Sequence, residues 1–356
     1  MSASHSRIIA KVVLFVLMPV VFRCTATPAA EDSEPTGPVH RAVSVVDEDE
    51  DPRTAGRTAA ELLLKEFGGA PPEVVLLSEC FEGEEAKKAM LEGLKEVLPA
   101  ESIFGLATYG SFTQEGCTDY DAVGLLGIGG KIEVKTAVVE NTKTSKLVYQ
   151  EHQAEIDRRL KEAGQALAEQ LGPSADETSE GSLLICLADA HSPKNAPLVE
   201  GIQKVTGADY PLTGGSANKN AGQTFVYYQG RMLTDGVVAV HLRGDFKTAL
   251  VGRQAKTNET VILSAKEGMA TALEIAGKTS AKPQIAGVLA FNCAGRRSKL
   301  ENYEEELAAM QASLGKSLPL FGCYCAGEIG PVDIETERKG QIGGDGWHVM
   351  FTVIYK

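Results

Sequence analysis

A thiol, an amide and two guanidinium groups crowd together in Phe291-Asn292-Cys293-Ala294-Gly295-Arg296-Arg297, directly after the apolar run that begins at Val288. Cys293 suggests a nucleophile, because a neighbouring cation lowers a thiol's pKa. A thiol enzyme also needs a base, and His191, His241 and His348 stand at no recognisable spacing from Cys293. Arg296 suggests an anion contact, since a planar fork grips a carboxylate with two hydrogen bonds, with Arg297 as its solvated neighbour. Glu328, in Ala326-Gly327-Glu328-Ile329-Gly330, offers either an ion-pair partner for Arg296 or an acceptor for a ligand ammonium group. The pair therefore describes a structural salt bridge or one half of an amino-acid site.

Polar residues recur where other apolar runs end: Ser78, Glu79 and Cys80, then Asp189, His191 and Ser192. Glycine-broken segments supply a second set, containing Thr108, Tyr109 and Ser111, then Gly214, Gly215, Ser216 and Asn218, then Tyr324, Gly327 and Glu328. Gly214-Gly215-Ser216 reads either as a tight turn or as a turn presenting backbone N–H groups to an anion. None of these glycine-broken segments ends in the Gly-Lys-Ser/Thr of a phosphate-binding loop, and no Gly-x-Gly-x-x-Gly follows a strand. In Cys323-Tyr324-Cys325 the thiols alternate, so on a strand they share a face opposite Tyr324, and no second Cys or His pair stands at zinc spacing. The expected ligand-binding set is Glu79, Tyr109, Gly214, Gly215, Ser216, Asn292, Cys293, Arg296, Tyr324, Glu328 and His348, with no catalytic residue, cofactor or metal assigned.

The elements that position these residues repeat three times, each as apolar run, helix-like stretch and hydrophobic step into a glycine-rich segment. The copies run from Val74 to Gly110, from Leu183 to Gly215 and from Val288 to Gly330. Repetition at this length predicts duplicated βαβ-type modules that bury their apolar faces against one another. Glu84 to Leu98 sets Met90, Leu91, Leu94 and Leu98 on one helix face with Lys87, Lys88, Glu92 and Lys95 elsewhere, and Leu300 to Leu314 repeats the arrangement. Pro52 suits a first helical position, followed by Ala55, Ala59, Leu62, Leu63 and Phe67 at helical spacing. Asp121 to Gly130 and Asp235 to Gly244 are equally spaced, and each leads into another β-prone segment. Asp345-Gly346-Trp347-His348 opens the corresponding stretch of the third copy, which reads as truncated. The fold class is α/β: repeated strand-helix-strand modules with mixed sheets, an N-terminal two-copy half and a shorter C-terminal half.

A chain of 356 residues, 43% hydrophobic, buries a large core. At the N-terminus Arg7 and Lys11 precede an apolar run from Val12 to Phe22, followed by small residues. That order reads as a signal peptide, residues 1–26, and an exported protein with no stable membrane span after cleavage. A lipid anchor at Cys24 is disfavoured by the bulky Phe22-Arg23 before it. Cleavage removes Arg7, Lys11 and Arg23 and no acid, so the net charge of −13 falls by three more, which excludes nucleic acid and anionic lipid as partners. An acidic, Pro-containing linker follows at residues 27–40. A Cys80–Cys117 disulfide is left open.

The segments FNCAGRR at 291–297 and LPLFGCYCAGEIGP at 318–331, with His348 on a last strand, resemble the C-terminal half of the FIST sensory domain. VVLLSE at 74–79, IFGLATYG at 103–110 and PLTGGSANKNAG at 211–222 resemble its N-terminal half. The resemblance implies a FIST N-like domain over 41–256 and a FIST C-like domain over 257–356. It implies a ligand-sensing module for amino acids or other small carboxylates, working with an unidentified signalling partner, since no output domain is recognisable. Two other classes stay open: a thiol-dependent hydrolase or transferase using Cys293, and an envelope protein-interaction module.

Overall fold

The computed structural model describes residues 37–48, 50–172, 180–189, 195–218, 224–280, 282–334 and 337–356. The leader segment, the linker up to residue 36, His191 and Ser192 lie outside the described residues. The first copy comprises β1 (Pro38–Val46), α1 (Pro52–Glu66), β2 (Val74–Glu79), α2 (Glu84–Lys95), β3 (Ile103–Ala107), β4 (Ser111–Thr113) and β5 (Ala122–Gly130). The second comprises β6 (Ile132–Val139), α3 (Tyr149–Leu171), β7 (Ser182–Ala188), α4 (Asn195–Thr206), β8 (Leu212–Ser216), β9 (Val226–Tyr228), β10 (Arg231–Leu233) and β11 (Val237–Gly244). The third comprises β12 (Lys247–Gln254), α5 (Asn258–Thr279), β13 (Ile285–Cys293), α6 (Ala294–Arg297), α7 (Tyr303–Leu314), β14 (Leu320–Cys325), β15 (Gly327–Pro331), β16 (Ile342–Asp345) and β17 (His348–Tyr355).

Local signals set the helix starts. Pro52 occupies the first turn of α1, with the Asp51 carboxylate accepting the Thr54 N–H at 3.3 Å. Thr257 and Thr260 close a reciprocal capping box on α5, and Asn302 caps α7. Helices of copies one and two approach to backbone contact through glycines. A Cβ on Gly56 would lie 2.1 Å from Met90 O, and one on Gly164 would lie 2.1 Å from Leu198 O.

Each copy builds the same four-stranded core, ordered β1-β5-β2-β3, β6-β11-β7-β8 and β12-β17-β13-β14. The two inner crossover strands are parallel and the closing strand is antiparallel to its neighbours. Alternation along the inner strands serves two cores at once. Leu76, Ile185 and Leu289 face a central core shared by all three sheets. Leu77, Leu184 and Ala290 face the helix pair that covers each sheet.

The β-prone segments after Gly130 and Gly244 are not extensions of the copies before them: β6 and β12 open the next copy's sheet. Counted so, the third copy owns all four core strands, and the truncation expected from the sequence is corrected. The two-copy N-terminal half and shorter C-terminal half remain. Pairing also corrects a register. Val123, Val237 and Val349 oppose Glu79, Ala188 and Asn292 respectively, so Asp121, Asp235 and Trp347 are equivalent, and Asp345 is not the counterpart of Asp235.

The copies are tied in a ring. β4 pairs with β14, β9 with β3, and β15 with β8, so copy one lends a strand to three, two to one and three to two. At each hand-over a backbone N–H bonds the neighbouring copy: Tyr109 N to Tyr324 O at 3.0 Å, Asn218 N to Ala107 O at 2.9 Å, and Ala326 N to Ser216 O at 3.0 Å. The exchange covers sheet edges that would otherwise stay unpaired. Among the described residues no helix is long and apolar enough to cross a membrane.

Candidate functional site

Parity along β2, β7 and β13 decides where the strand-end residues point. Glu79, Ala188 and Asn292 are equivalent and sit on the helix side of their sheets. Glu79 is wholly buried there. It accepts from Lys87 Nζ at 2.9 Å, from Tyr227 Oη at 2.9 Å and from Phe81 N at 2.9 Å. Lys87, expected off the buried helix face, is equally inaccessible, because its charge is needed under the sheet. Glu79 is thus spent on structure.

The third copy solves the same place with a different pair. Arg296 is fully buried and bonds Glu306 at 2.8 Å, Asn292 Oδ1 at 2.9 Å, Ser264 Oγ at 3.0 Å and Val261 O at 3.2 Å. Asn292 donates to Glu306 Oε2 at 2.9 Å, and Tyr324 Oη to the same oxygen at 3.2 Å. The ion-pairing reading of Arg296 holds, but its partner is Glu306 and not Glu328. Arg297 is not a solvated neighbour. Its side chain is 12% exposed, pairs with Asp119 at 2.5 Å and stacks on Tyr303 with 4.7 Å to the ring centre.

Gly214, Gly215 and Ser216 form the buried strand β8, which corrects their reading as a turn presenting N–H groups. Glycine is required because a Cβ on Gly214 would lie 1.9 Å from Cys186 O and one on Gly215 would lie 2.6 Å from Cys325 Sγ. Ser216 Oγ donates to Asn195 Oδ1 at 2.5 Å. Tyr109 is half-buried at the hand-over to copy three. Cys80 and Cys117 are free thiols. Cys323 and Cys325 share the central face, 3.5 Å apart at sulfur, while Tyr324 faces the helices, as the alternation predicts.

Cys293, Glu328 and His348 do come together, at the exit of β13. Cys293 Sγ accepts from Gly295 N at 3.3 Å, and the backbone N–H groups of Arg296 and Trp347 are also directed at it. The Glu328 carboxyl lies alongside this thiol, fully buried. Its Oε2 accepts the His348 N–H at 3.1 Å, while Oε1 has no hydrogen-bond partner of ordinary geometry. Burial pushes Glu328 well above the usual carboxylate range, and burial plus the nearby Glu328 pushes Cys293 up to about 12. The Cys293 thiol therefore holds its proton at neutral pH. The His348 ring is already engaged, with Nδ1 on Gly346 O at 2.8 Å and Nε2 accepting from Asp333 N at 3.0 Å. It is no base for the thiol.

Trp347 covers this cluster and was not marked as a site residue by sequence. It has φ 66, where a bulky side chain is strained, at the position that carries Asp121 (φ 51) and Asp235 (φ 57) in the other copies. Its ring lies over Gly295, and Lys256 and Lys299 each place Nζ 5.8 Å from the ring centre. The signal that would have found it is the left-handed position, visible only once the register is known. Among the described residues no group of three or more His, Cys, Asp or Glu could hold a metal ion.

Two solved structures similar to this chain are cyanuric acid hydrolases. One, described as an evolutionary innovation by structural concatenation, has a TM-score of 0.44 and 13% identity, covering 90% of this chain and 100% of that chain. The other, from A. caulinodans, has a TM-score of 0.43 and 10% identity, covering 88% and 99%. No conclusion about activity follows at that level of likeness. No curated protein matches the sequence. The FIST N domain matches residues 73–278 and the FIST C domain residues 235–331. The first match alone spans more than half of the chain, which therefore belongs to the FIST family, a group of sensory domains that bind small ligands.

Proposed function

We propose that the protein is an exported sensory module whose ligand, an amino acid or similar small carboxylate, is bound at the strand ends of the third copy beneath Trp347. The observation that carries this reading is Glu328: a buried carboxyl whose Oε1 has no hydrogen-bond partner of ordinary geometry and only the Cys293 thiol alongside is an acceptor short of a donor, and a ligand ammonium supplies one. Trp347 supports it, because backbone strain at a bulky residue persists where function holds it. Lys256 and Lys299, both exposed and close to the ring, suit the carboxylate end of the same ligand. Export rests on the basic, apolar and small segments of the leader, and an intact N-terminus on protein purified from the cell envelope would overturn that part.

Thermal-shift screening against amino acids and small carboxylates tests the binding site. A ligand at a hundred times its Kd stabilises the native state by about 2.7 kcal/mol, and Glu328→Gln should erase the shift. A broad screen without any stabiliser would favour a protein-interaction module instead. A thiol-dependent enzyme is the second reading, favoured by the three N–H groups converging on Cys293. Against it stand the raised pKa of that thiol and the full engagement of His348. Turnover or a covalent adduct lost in Cys293→Ala would promote it.

A further inference from the structure

The structural equivalence that places Cys293 at the exit of β13 places Asp189 at the exit of β7. Asp189 is 6% exposed, and its Oδ2 has no hydrogen-bond partner. The backbone N–H groups of Asp235 and Gly236 and the Thr224 hydroxyl are its donors. None carries a positive charge. The neighbouring carboxylate is committed elsewhere: Asp235 accepts from Thr142 Oγ1 at 2.7 Å and from the backbone N–H groups of Lys143, Thr144 and Ser145 at 2.6 to 3.0 Å. It belongs to the 142–145 loop and leaves Asp189 with the spare valence. Among the described residues no Lys, Arg or His forms an ion pair with Asp189.

A buried carboxylate with a free oxygen and no countercharge among the described residues is expensive to ionise, and burial together with Asp235 raises its pKa to about 7. A cation arriving at Oδ2 removes that cost. We infer that the second copy holds a ligand site of its own, in which Asp189 anchors the primary ammonium group of a small organic cation at the end of β7. The site is separate from the Glu328 cluster of the third copy and does not depend on it. Binding ionises a carboxyl that is partly protonated near neutrality, so the ammonium displaces a proton into solvent as it docks.

Isothermal titration with n-propylammonium as probe, run at pH 6.5 in two buffers of different ionisation enthalpy, tests this on the full chain. The expected result is saturable binding accompanied by proton release, with n-propanol inert as the uncharged control. Asp189→Asn should weaken the ammonium at least about tenfold, or about 1.4 kcal/mol, when both proteins carry Glu328→Gln to remove the third copy's own ammonium acceptor. If Asp189→Asn misfolds by circular dichroism, Asp189→Glu takes its place and should shift the affinity without abolishing proton release. Equal affinity in the folded Asp189 variant, loss of binding in Glu328→Gln, or no binding by the wild type would each overturn the inference.

Discussion

In the third copy the residue that ends the inner strand on the helix side, Asn292, joins a buried ion pair between Arg296 and Glu306, and the first copy places Glu79 with Lys87 there. The second copy has Ala188 at that point, packed with Leu198 and Val199. The same backbone therefore tolerates a charged or an apolar filling under its helices. What it does not vary is the glycine on the neighbouring parallel strand, at Gly105, Gly214 and Gly322. The contrast teaches that these buried charges are local solutions to local vacancies, and that register and close backbone approach define the module.

Removing one charge from a pair should give the largest effect. Lys87→Met leaves Glu79 buried and uncompensated, and denaturant unfolding should show a loss of about 3–5 kcal/mol. Replacing Glu79 with Met as well should recover part of it, whereas Leu198→Met at the apolar counterpart should cost under about 1.5 kcal/mol. Equal losses at both places would end the comparison.

The strand exits of the second and third copies differ in how they answer to pH. Asp189 has a folded pKa of about 7 against 3.8 unfolded, so the folded state holds a proton the unfolded state gives up. Its contribution is fully present below pH 3.8 and is lost as pH rises toward 7. Asp189→Asn should flatten that window and raise stability at pH 7 by about 2–4 kcal/mol, read from unfolding midpoints across pH. An unchanged pH profile would place the proton elsewhere.

The left-handed hinge separates the copies more finely. Asp235→Ala breaks the bonds that organise residues 142–145, with an expected cost of about 2–3 kcal/mol. Trp347→Asn at the equivalent position should change stability by no more than about 1 kcal/mol, in either direction, because relief of strain offsets lost packing, while ligand binding disappears. A loss of several kcal/mol would make Trp347 an ordinary packing residue. The smallest expected signal concerns Cys293: with its pKa near 12 the thiolate fraction at pH 8 is on the order of one in ten thousand, so iodoacetamide should leave it unmodified in the folded protein.

Much of this architecture is legible in the sequence, and the illegible parts share a cause. Strand–helix periodicity and the glycine-broken steps reveal three modules, and the alternation of Cys323, Tyr324 and Cys325 gives their facing correctly. A period of two cannot say which sheet a strand joins, so β6 and β12 looked like tails of the preceding copies. A helical wheel gives Lys87 an angle, but the reason for its burial is Glu79, on another element. Arg296 finds Glu306 on the next helix in the same way. Glu328, Cys293 and His348 were named from their types, yet Trp347 acquires meaning only from the register that aligns it with Asp121 and Asp235.

The exchange of β4, β9 and β15 gives the chain the mechanics of a three-link ring. No module can be excised without stripping a strand from one neighbour and exposing an edge on the other, so deletion at a copy boundary should yield aggregation where a circular permutation at Lys131 or Asp245 should still close. It also means that each copy's sheet is held at one edge by a strand of another copy, so a displacement of one sheet has to be taken up by its neighbours.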